Sequence, residues 1–109
     1  MNIAVTAEAP RMDAPVDRHY ACCAYLIFAD TARGTHRIVA NPGAALEKGR
    51  CTALTQFLAD NAVDCVLSGK CGAHAREKLA AAGIRIVEGC EGTVREAIAQ
   101  AKKTVHATR

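Results

Sequence analysis

The chain has 109 residues, a formal net charge of +3 and 50% hydrophobic residues, which predicts one small domain with a single core. Only 4% of the residues are aromatic, so the predicted core is aliphatic. The charge excess lies mainly in a C-terminal tail that begins at Lys102. It is too weak and too local for a nucleic-acid-binding surface and predicts a frayed terminus. No apolar run reaches the roughly 20 residues of a membrane span and no signal peptide is visible, which predicts a cytoplasmic protein without a membrane partner.

Hydrophobic patterning predicts five strands and three helices in the order β-β-β-α-β-α-β-α. The second and third strands are expected to form an antiparallel hairpin, and Thr93 with Glu96 fits a capping box at the last helix. Strands joined through crossover helices run parallel, which predicts an α/β domain over residues 1–109. The predicted strands are 3–6, 24–29, 36–40, 64–68 and 84–87, and the predicted helices are 51–62, 74–82 and the segment that begins at 94.

Six cysteines form the main functional signal of the sequence. Parallel strands end at one shared edge of a sheet, and ligands of such sheets bind outside that edge. Cys65 begins a predicted strand and is therefore expected at the opposite edge, as a core residue. The predicted topology gathers the other five thiols at the ligand-binding edge: Cys22, Cys23, Cys51, Cys71 and Cys90.

The number and placement of these thiols favour soft-metal or redox chemistry. Cys51 and Cys71 lie near predicted helix N-termini, where backbone dipoles favour the thiolate form. Thiolates select zinc, Cu(I) and iron–sulfur species, and thiols of a reducing compartment point to metal or redox roles rather than disulfides. Cys22 and Cys23 are adjacent at the start of the second strand-like run, and neighbours in extended backbone point to opposite faces, so unless a bulge intervenes only one of them can face a shared site. For Cys90, the sequence supports a role as a ligand and a role as a small core residue equally.

Polar residues near the thiols add candidate partners for a metal–sulfur group. His19 is either a ligand or donor, or a surface histidine, and Lys70 either balances cluster charge or is an exposed base. Glycine-flanked loops at 69–72 and 89–92 could donate backbone N–H groups to cluster sulfides. No Ser-His-Asp order, carboxylate pair or phosphate-binding loop occurs, so the sequence gives no support for conventional hydrolytic or nucleotide chemistry.

Several short segments of the chain occur in an order and at a spacing that match one known protein family. From about residue 2 to 104 the chain resembles the dinitrogenase iron–molybdenum cofactor-binding family (NifX, NafY and orange-protein type). In particular, His19-Tyr20-Ala21-Cys22 stands where that family has His-Phe-Gly-Arg. The other segments in register are Asn41-Pro42, Leu67–Gly72, Leu79–Ile84 and Thr93–Ala97.

The resemblance implies a three-layer, ribonuclease H-like α/β domain with a mixed five-stranded sheet, helices on both faces and the first strand beside the fourth. It also implies a protein that binds, carries or delivers a metal–sulfur cofactor. Ala21 and Cys22 depart from the family's Gly and Arg. The cluster is therefore left open between an iron–sulfur type and a molybdenum, copper and iron–sulfur type.

The primary hypothesis is a non-enzymatic cluster carrier that serves acceptor or cluster-assembly proteins, with a homodimer around one cluster left open. One alternative is a thiol redox or sulfur-transfer protein that uses an activated Cys71 or Cys51, and another is a plain interaction module. In the primary hypothesis the metal ligands are Cys22 or Cys23, Cys51 and Cys71, and the cofactor-binding residues are His19, Tyr20, Lys70 and Gly72.

Overall fold

A computed structural model describes residues 1–107, with side chains described through Lys102. The predicted basic tail therefore lies largely outside the described side chains, although the last helix extends through Ala107. Across the described residues, no helix combines the length and apolar character that crossing a membrane requires. The elements are β1 (Asn2–Ala7), β2 (Tyr25–Asp30), β3 (Thr35–Ala40), α1 (Arg50–Asp60), β4 (Cys65–Leu67), α2 (Ala73–Ala81), β5 (Arg85–Val87) and α3 (Val94–Ala107).

The strands form one mixed sheet in the order β3-β2-β1-β4-β5. β2 pairs antiparallel with both β1 and β3, which confirms the predicted hairpin. β1 and β4 are parallel neighbours, and β5 extends the parallel half. The first strand thus lies beside the fourth, as the family resemblance implied. The chain adds β2 and β3 on one side of β1 and then β4 and β5 on its other side, so the strand order reverses between β1 and β4.

Helices cover both faces of the sheet because the strands alternate apolar side chains between two cores. On the face of α1 and α2, the buried side chains include Leu26, Leu54, Leu58, Val66 and Leu79. On the face of α3, the buried set includes Ile3, Val5, Ile27, Leu67 and Val94. Both cores are mainly aliphatic, which confirms the prediction from composition and the predicted α/β class.

A reciprocal pair of hydrogen bonds begins α3, as the capping-box pattern predicted. The backbone N–H of Thr93 donates to Glu96 Oε1 at 3.0 Å, and the N–H of Glu96 donates to Thr93 Oγ1 at 3.2 Å. These bonds satisfy two amides that the first turn of a helix leaves free. The Thr93 N–H and the Thr93 hydroxyl, which donates to Glu96 Oε1 at 3.0 Å, lower the pKa of the Glu96 carboxyl because they stabilise its charged form.

Candidate functional site

A crevice of about 910 Å³ opens at the carboxyl ends of β1 and β4, where the direction of the sheet order changes. Three loops form its walls: the β1–β2 loop, the β4–α2 loop and the β5–α3 loop. Open α/β sheets bind their ligands at this kind of position. The crevice is thus the candidate ligand-binding site, and its polar and charged lining includes Glu8, Arg18, His19, Lys70, Glu91 and Thr93.

Buried hydrogen bonds join the first two of these loops to the strand ends. The Thr6 hydroxyl donates to the Asp17 carbonyl oxygen at 3.0 Å and shares a hydrogen bond with the Ser68 hydroxyl at 3.1 Å. The same Asp17 carbonyl accepts the Gly69 N–H at 3.1 Å. Asp17 Oδ1 accepts the His19 N–H at 3.0 Å, which orients the backbone of the β1–β2 loop at the mouth of the crevice.

Gly69 is the point where these two loops approach each other most closely. A Cβ atom at this position would lie 2.8 Å from the Cα atom of Arg18, a distance that real Cβ contacts do not show. His19 and Lys70 form an isolated parallel bridge immediately beside this contact. Glycine at 69 therefore allows two basic loop segments to lie side by side.

Basic side chains from two loops cluster on one side of the crevice. Arg18, His19 and Lys70 are all exposed, and within the described part of the chain neither Arg18 nor Lys70 forms an ion pair. Two carboxylates also line the crevice, Glu8 in the β1–β2 loop and Glu91 in the β5–α3 loop. The basic walls attract an anionic ligand, because a cleft with low-dielectric walls concentrates the field of its charges.

The strand register brings the ends of β1 and β3 and the start of β2 to one edge of the sheet. Ala7 at the end of β1 pairs with Tyr25 at the start of β2, and Tyr25 pairs with Ala40 at the end of β3. The segments that hold Cys22, Cys23, Cys51, Cys71 and Cys90 therefore all adjoin one edge. Cys65 pairs with Ile3 at the opposite end of the strands.

Within that edge the thiols divide between the two faces of the sheet, which the sequence analysis did not anticipate. Cys23 and Cys71 are buried in the core beneath α1 and α2, and Cys51 packs against the same core. Cys90 instead packs against the core beneath α3, as does the predicted core residue Cys65. Three predicted metal ligands thus share a region that is separate from the lining of the crevice.

Tyr20 is the residue around which these three thiols gather. Its side chain is only 2% exposed, and its hydroxyl lies 2.9 Å from the Thr55 hydroxyl. Burial raises the pKa of Tyr20, and Cys51, Cys71 and Cys23 add to that shift as nearby groups. The predicted cofactor-binding role of Tyr20 stays a prediction, and the structure places this side chain in the core.

The Cys71 thiol lies next to α2, but its environment opposes ionisation. Burial raises the pKa of Cys71 to about 11, and the nearby Glu88 carboxylate adds to the shift. Glu88 Oε1 accepts the Cys71 N–H at 2.8 Å, so a carboxylate already occupies the amide that precedes the helix. The prediction that the helix N-terminus makes Cys71 a thiolate is therefore wrong, because burial and Glu88 outweigh the helix dipole.

Cys22 and Cys23 have opposite environments, although both precede β2 and neither lies in a strand. Cys22 is exposed, and its sulfur accepts a weak hydrogen bond from Arg50 Nη1 at 3.5 Å. Cys23 is fully buried, and burial raises its pKa to about 12, with Asp17 adding to the shift. The Asn41 side chain donates to the Cys23 carbonyl at 2.9 Å, which holds the segment against β3.

The other predicted binding residues lie at or near the crevice. His19 and Lys70 line it, whereas Gly72 is exposed at the N-cap of α2. Among the described residues, no group of three or more His, Cys, Asp or Glu side chains is arranged to hold a single metal ion. The ligand roles of Cys22, Cys23, Cys51 and Cys71 remain predictions.

Two residues of the crevice were missed or left undecided by the sequence analysis. Arg18 was missed, although its position directly before His19 was a signal in the sequence that could have identified it. Cys90 lines the crevice although the sequence left its role evenly balanced. Its placement depends on the path of the β5–α3 loop, which no local sequence pattern specifies.

Comparisons with known proteins agree with this fold. The orange protein from Desulfovibrio gigas, solved in its apo form, is 32% identical over 94% of this chain and 88% of its own, with a TM-score of 0.89. A putative NifB protein from Thermotoga is 26% identical over 94% of this chain and 87% of its own, with a TM-score of 0.80. No curated protein matches the chain significantly. The model of the dinitrogenase iron-molybdenum cofactor family matches residues 1–104, and the chain therefore belongs to that family.

Proposed function

We propose that this protein binds and carries an anionic metal–sulfur cofactor of the iron–molybdenum type in the crevice at the carboxyl ends of β1 and β4. The observation that carries the proposal is the crevice itself, in which Arg18, His19 and Lys70 converge from two loops. Membership of the cofactor family supplies the class of ligand. Such cofactors are the cargo of the protein, which holds them without changing them.

The residues of the crevice are chemically suited to such a cargo. Metal–sulfur clusters carry negative charge on sulfide atoms, which accept hydrogen bonds from N–H groups and are stabilised by nearby cations. Gly89 and Gly92 adopt left-handed φ angles of 74° and 80°, conformations that L side chains rarely adopt. They bend the β5–α3 loop around the mouth of the crevice, next to the basic walls.

The openness of the site suits a carrier that passes its cargo to an acceptor protein. Arg18, His19 and Lys70 are exposed, so they are accessible both to an incoming cofactor and to a partner surface. We infer that a cytoplasmic acceptor or cluster-assembly protein approaches this edge of the sheet. The positive rim favours a partner that presents an acidic surface.

The thiol redox and sulfur-transfer alternative is not supported at Cys71. With a pKa of about 11, roughly one Cys71 thiol in ten thousand is ionised at neutral pH, and the thiolate is the nucleophile. Cys71 is also only 2% exposed, so a substrate has little access to its sulfur.

Anaerobic incubation with isolated iron–molybdenum cofactor, followed by gel filtration, metal analysis and absorption spectroscopy, tests the proposal. We expect iron and molybdenum to elute with the protein. The Arg18→Gln/Lys70→Gln variant is expected to bind the cofactor less tightly, because it removes two crevice cations. The Arg33→Gln/Lys102→Gln variant removes the same charge away from the crevice and is the matched control.

Two results would contradict the proposal. Elution of the protein without metal would contradict cofactor binding itself. Equal retention of the cofactor by the crevice variant and its control would contradict the assignment of the site to the crevice.

A further inference from the structure

Cys90 has a position that none of the other five thiols shares. Of the six cysteines, it alone lines the crevice, and it does so together with His19. The two residues come from different loops, His19 from the β1–β2 loop and Cys90 from the β5–α3 loop. The crevice thus offers one thiol and one imidazole, two side chains that bind soft and borderline metals.

Backbone hydrogen bonds tie the loop of Cys90 to the neighbouring walls. The Cys90 N–H donates to the Ser68 carbonyl at 3.1 Å, and the Gly89 N–H donates to the Gly69 carbonyl at 2.8 Å. On the far side of Cys90, the Gly92 carbonyl accepts the Val16 N–H at 2.9 Å. The main chain around Cys90 is therefore held to the β4–α2 loop and to the β1–β2 loop.

The Cys90 side chain has more freedom than its main chain. Its sulfur makes a weak hydrogen bond to the Val87 carbonyl at 3.5 Å, and the residue is half-buried. It also lines a second cavity of about 570 Å³ between β5 and α3, which it shares with Cys65. Burial raises the pKa of the Cys90 thiol, as it does for Cys71, so a bound metal rather than the free protein would favour its thiolate form. Cys90 thus forms the boundary between that apolar groove and the crevice, and it lines both.

We propose that Cys90 supplies the thiolate that ligates a metal of the cofactor in the crevice, with His19 as the second protein ligand. This inference rests on the proposed function.

The ligation step is a ligand exchange without electron transfer. The Cys90 thiol loses its proton to bulk water, and its sulfur forms a bond to a cofactor metal. A neutral water ligand leaves that metal for bulk solvent. Binding consequently releases a proton from the protein, and the affinity for the cofactor rises with pH.

This assignment differs from the ligand set derived from the sequence. Cys23 and Cys71 are 0% and 2% exposed on the opposite face of the sheet, around Tyr20. Neither of these residues lines the crevice, whereas Cys90 does.

Protection of individual thiols from alkylation tests the inference on the intact protein. Each cysteine is labelled with iodoacetamide under anaerobic conditions, with and without isolated iron–molybdenum cofactor, and quantified by mass spectrometry. We expect bound cofactor to protect Cys90 and to leave the exposed Cys22 labelled as before. Unchanged labelling of Cys90 in protein that retains the cofactor would overturn the inference and leave the proposed function intact.

Matched variants provide a second readout. Cys90→Ala is expected to weaken cofactor binding at least about tenfold, the loss typical of disturbing even the outer partners of a metal site. Cys65→Ala, which removes the other thiol of the groove, and Cys51→Ala/Cys71→Ala are expected to bind as the wild type does. Circular dichroism confirms that each variant is folded.

The outcomes separate the two claims. Normal binding by Cys90→Ala, or loss of binding only in Cys51→Ala/Cys71→Ala, would refute the role of Cys90 while cofactor binding stands. Wild-type protein that retains no cofactor would overturn both the inference and the proposed function.

Discussion

The side chains around Cys71 explain why this thiol is not activated although it lies near the start of α2. The carboxylate of Glu88 accepts the Cys71 N–H and lies 3.4 Å from Arg76 Nε. It therefore occupies the start of α2, where a helix favours negative charge. Its negative charge adds to the burial that disfavours the Cys71 thiolate. Proximity to a helix N-terminus is visible in the sequence, whereas the opposing carboxylate comes from the end of β5 and is visible only in the fold.

Replacing Glu88 therefore has a defined electrostatic consequence. We expect Glu88→Gln to lower the pKa of Cys71 below about 11, because the neighbouring negative charge is removed and Arg76 loses its partner. A pH titration of the Cys71 Cβ chemical shift by NMR measures this change. Glu77→Gln, on the same helix, is the control, and an unchanged Cys71 titration in Glu88→Gln would contradict this account.

Gly69 provides a second prediction at the scale of one residue. We expect Gly69→Ala to destabilise the protein by about 1–3 kcal/mol, because its Cβ would collide with the Arg18 backbone 2.8 Å away. Gly72→Ala is the matched control, since a Cβ at Gly72 meets no atom within 4 Å. Urea unfolding of both variants measures the free energies, and equal losses would show that the two loops are not in close contact.

At the scale of elements, the loops after β1, β4 and β5 carry the proposed function, and the helices hold those loops in place. The capping box at α3 fixes where the β5–α3 loop ends, since Thr93 both lines the crevice and begins the hydrogen bonding of the helix. This part of the site was predictable, because the Thr-x-x-Glu spacing is local. The approach of Arg18 to Gly69 was not, because it joins segments about fifty residues apart.

The capping box also predicts a dependence of stability on pH. The folded state lowers the pKa of Glu96, so its carboxylate contributes stability above the unfolded-state pKa. This contribution is lost as the pH falls through the folded-state pKa. When the pH is lowered from neutral to acidic, we expect the free energy of unfolding to fall less in the Glu96→Gln variant than in the wild type. Equal losses in the two proteins, measured by urea unfolding, would contradict this role of Glu96.

At the scale of the whole molecule, the order of elements determined the edge at which the thiols gather, but not the face on which each thiol lies. Alternating crossover helices predicted the parallel half of the sheet, and the pairing of β1 with β4 confirmed what the family resemblance implied. The side of the sheet to which a loop turns depends on tertiary packing. Cys71 turns toward α1 and Cys90 toward α3 for that reason, although both follow parallel strands.

The central claim is that the cofactor binds in the crevice between the β1–β2, β4–α2 and β5–α3 loops. Two-dimensional ¹H–¹⁵N NMR of the protein with isolated iron–molybdenum cofactor tests it directly, because paramagnetic iron broadens nearby amide signals. We expect broadening centred on His19, Lys70 and the loop from Gly89 to Thr93. Broadening centred instead on α1 and the buried thiols around Tyr20, or no broadening at all, would contradict the account.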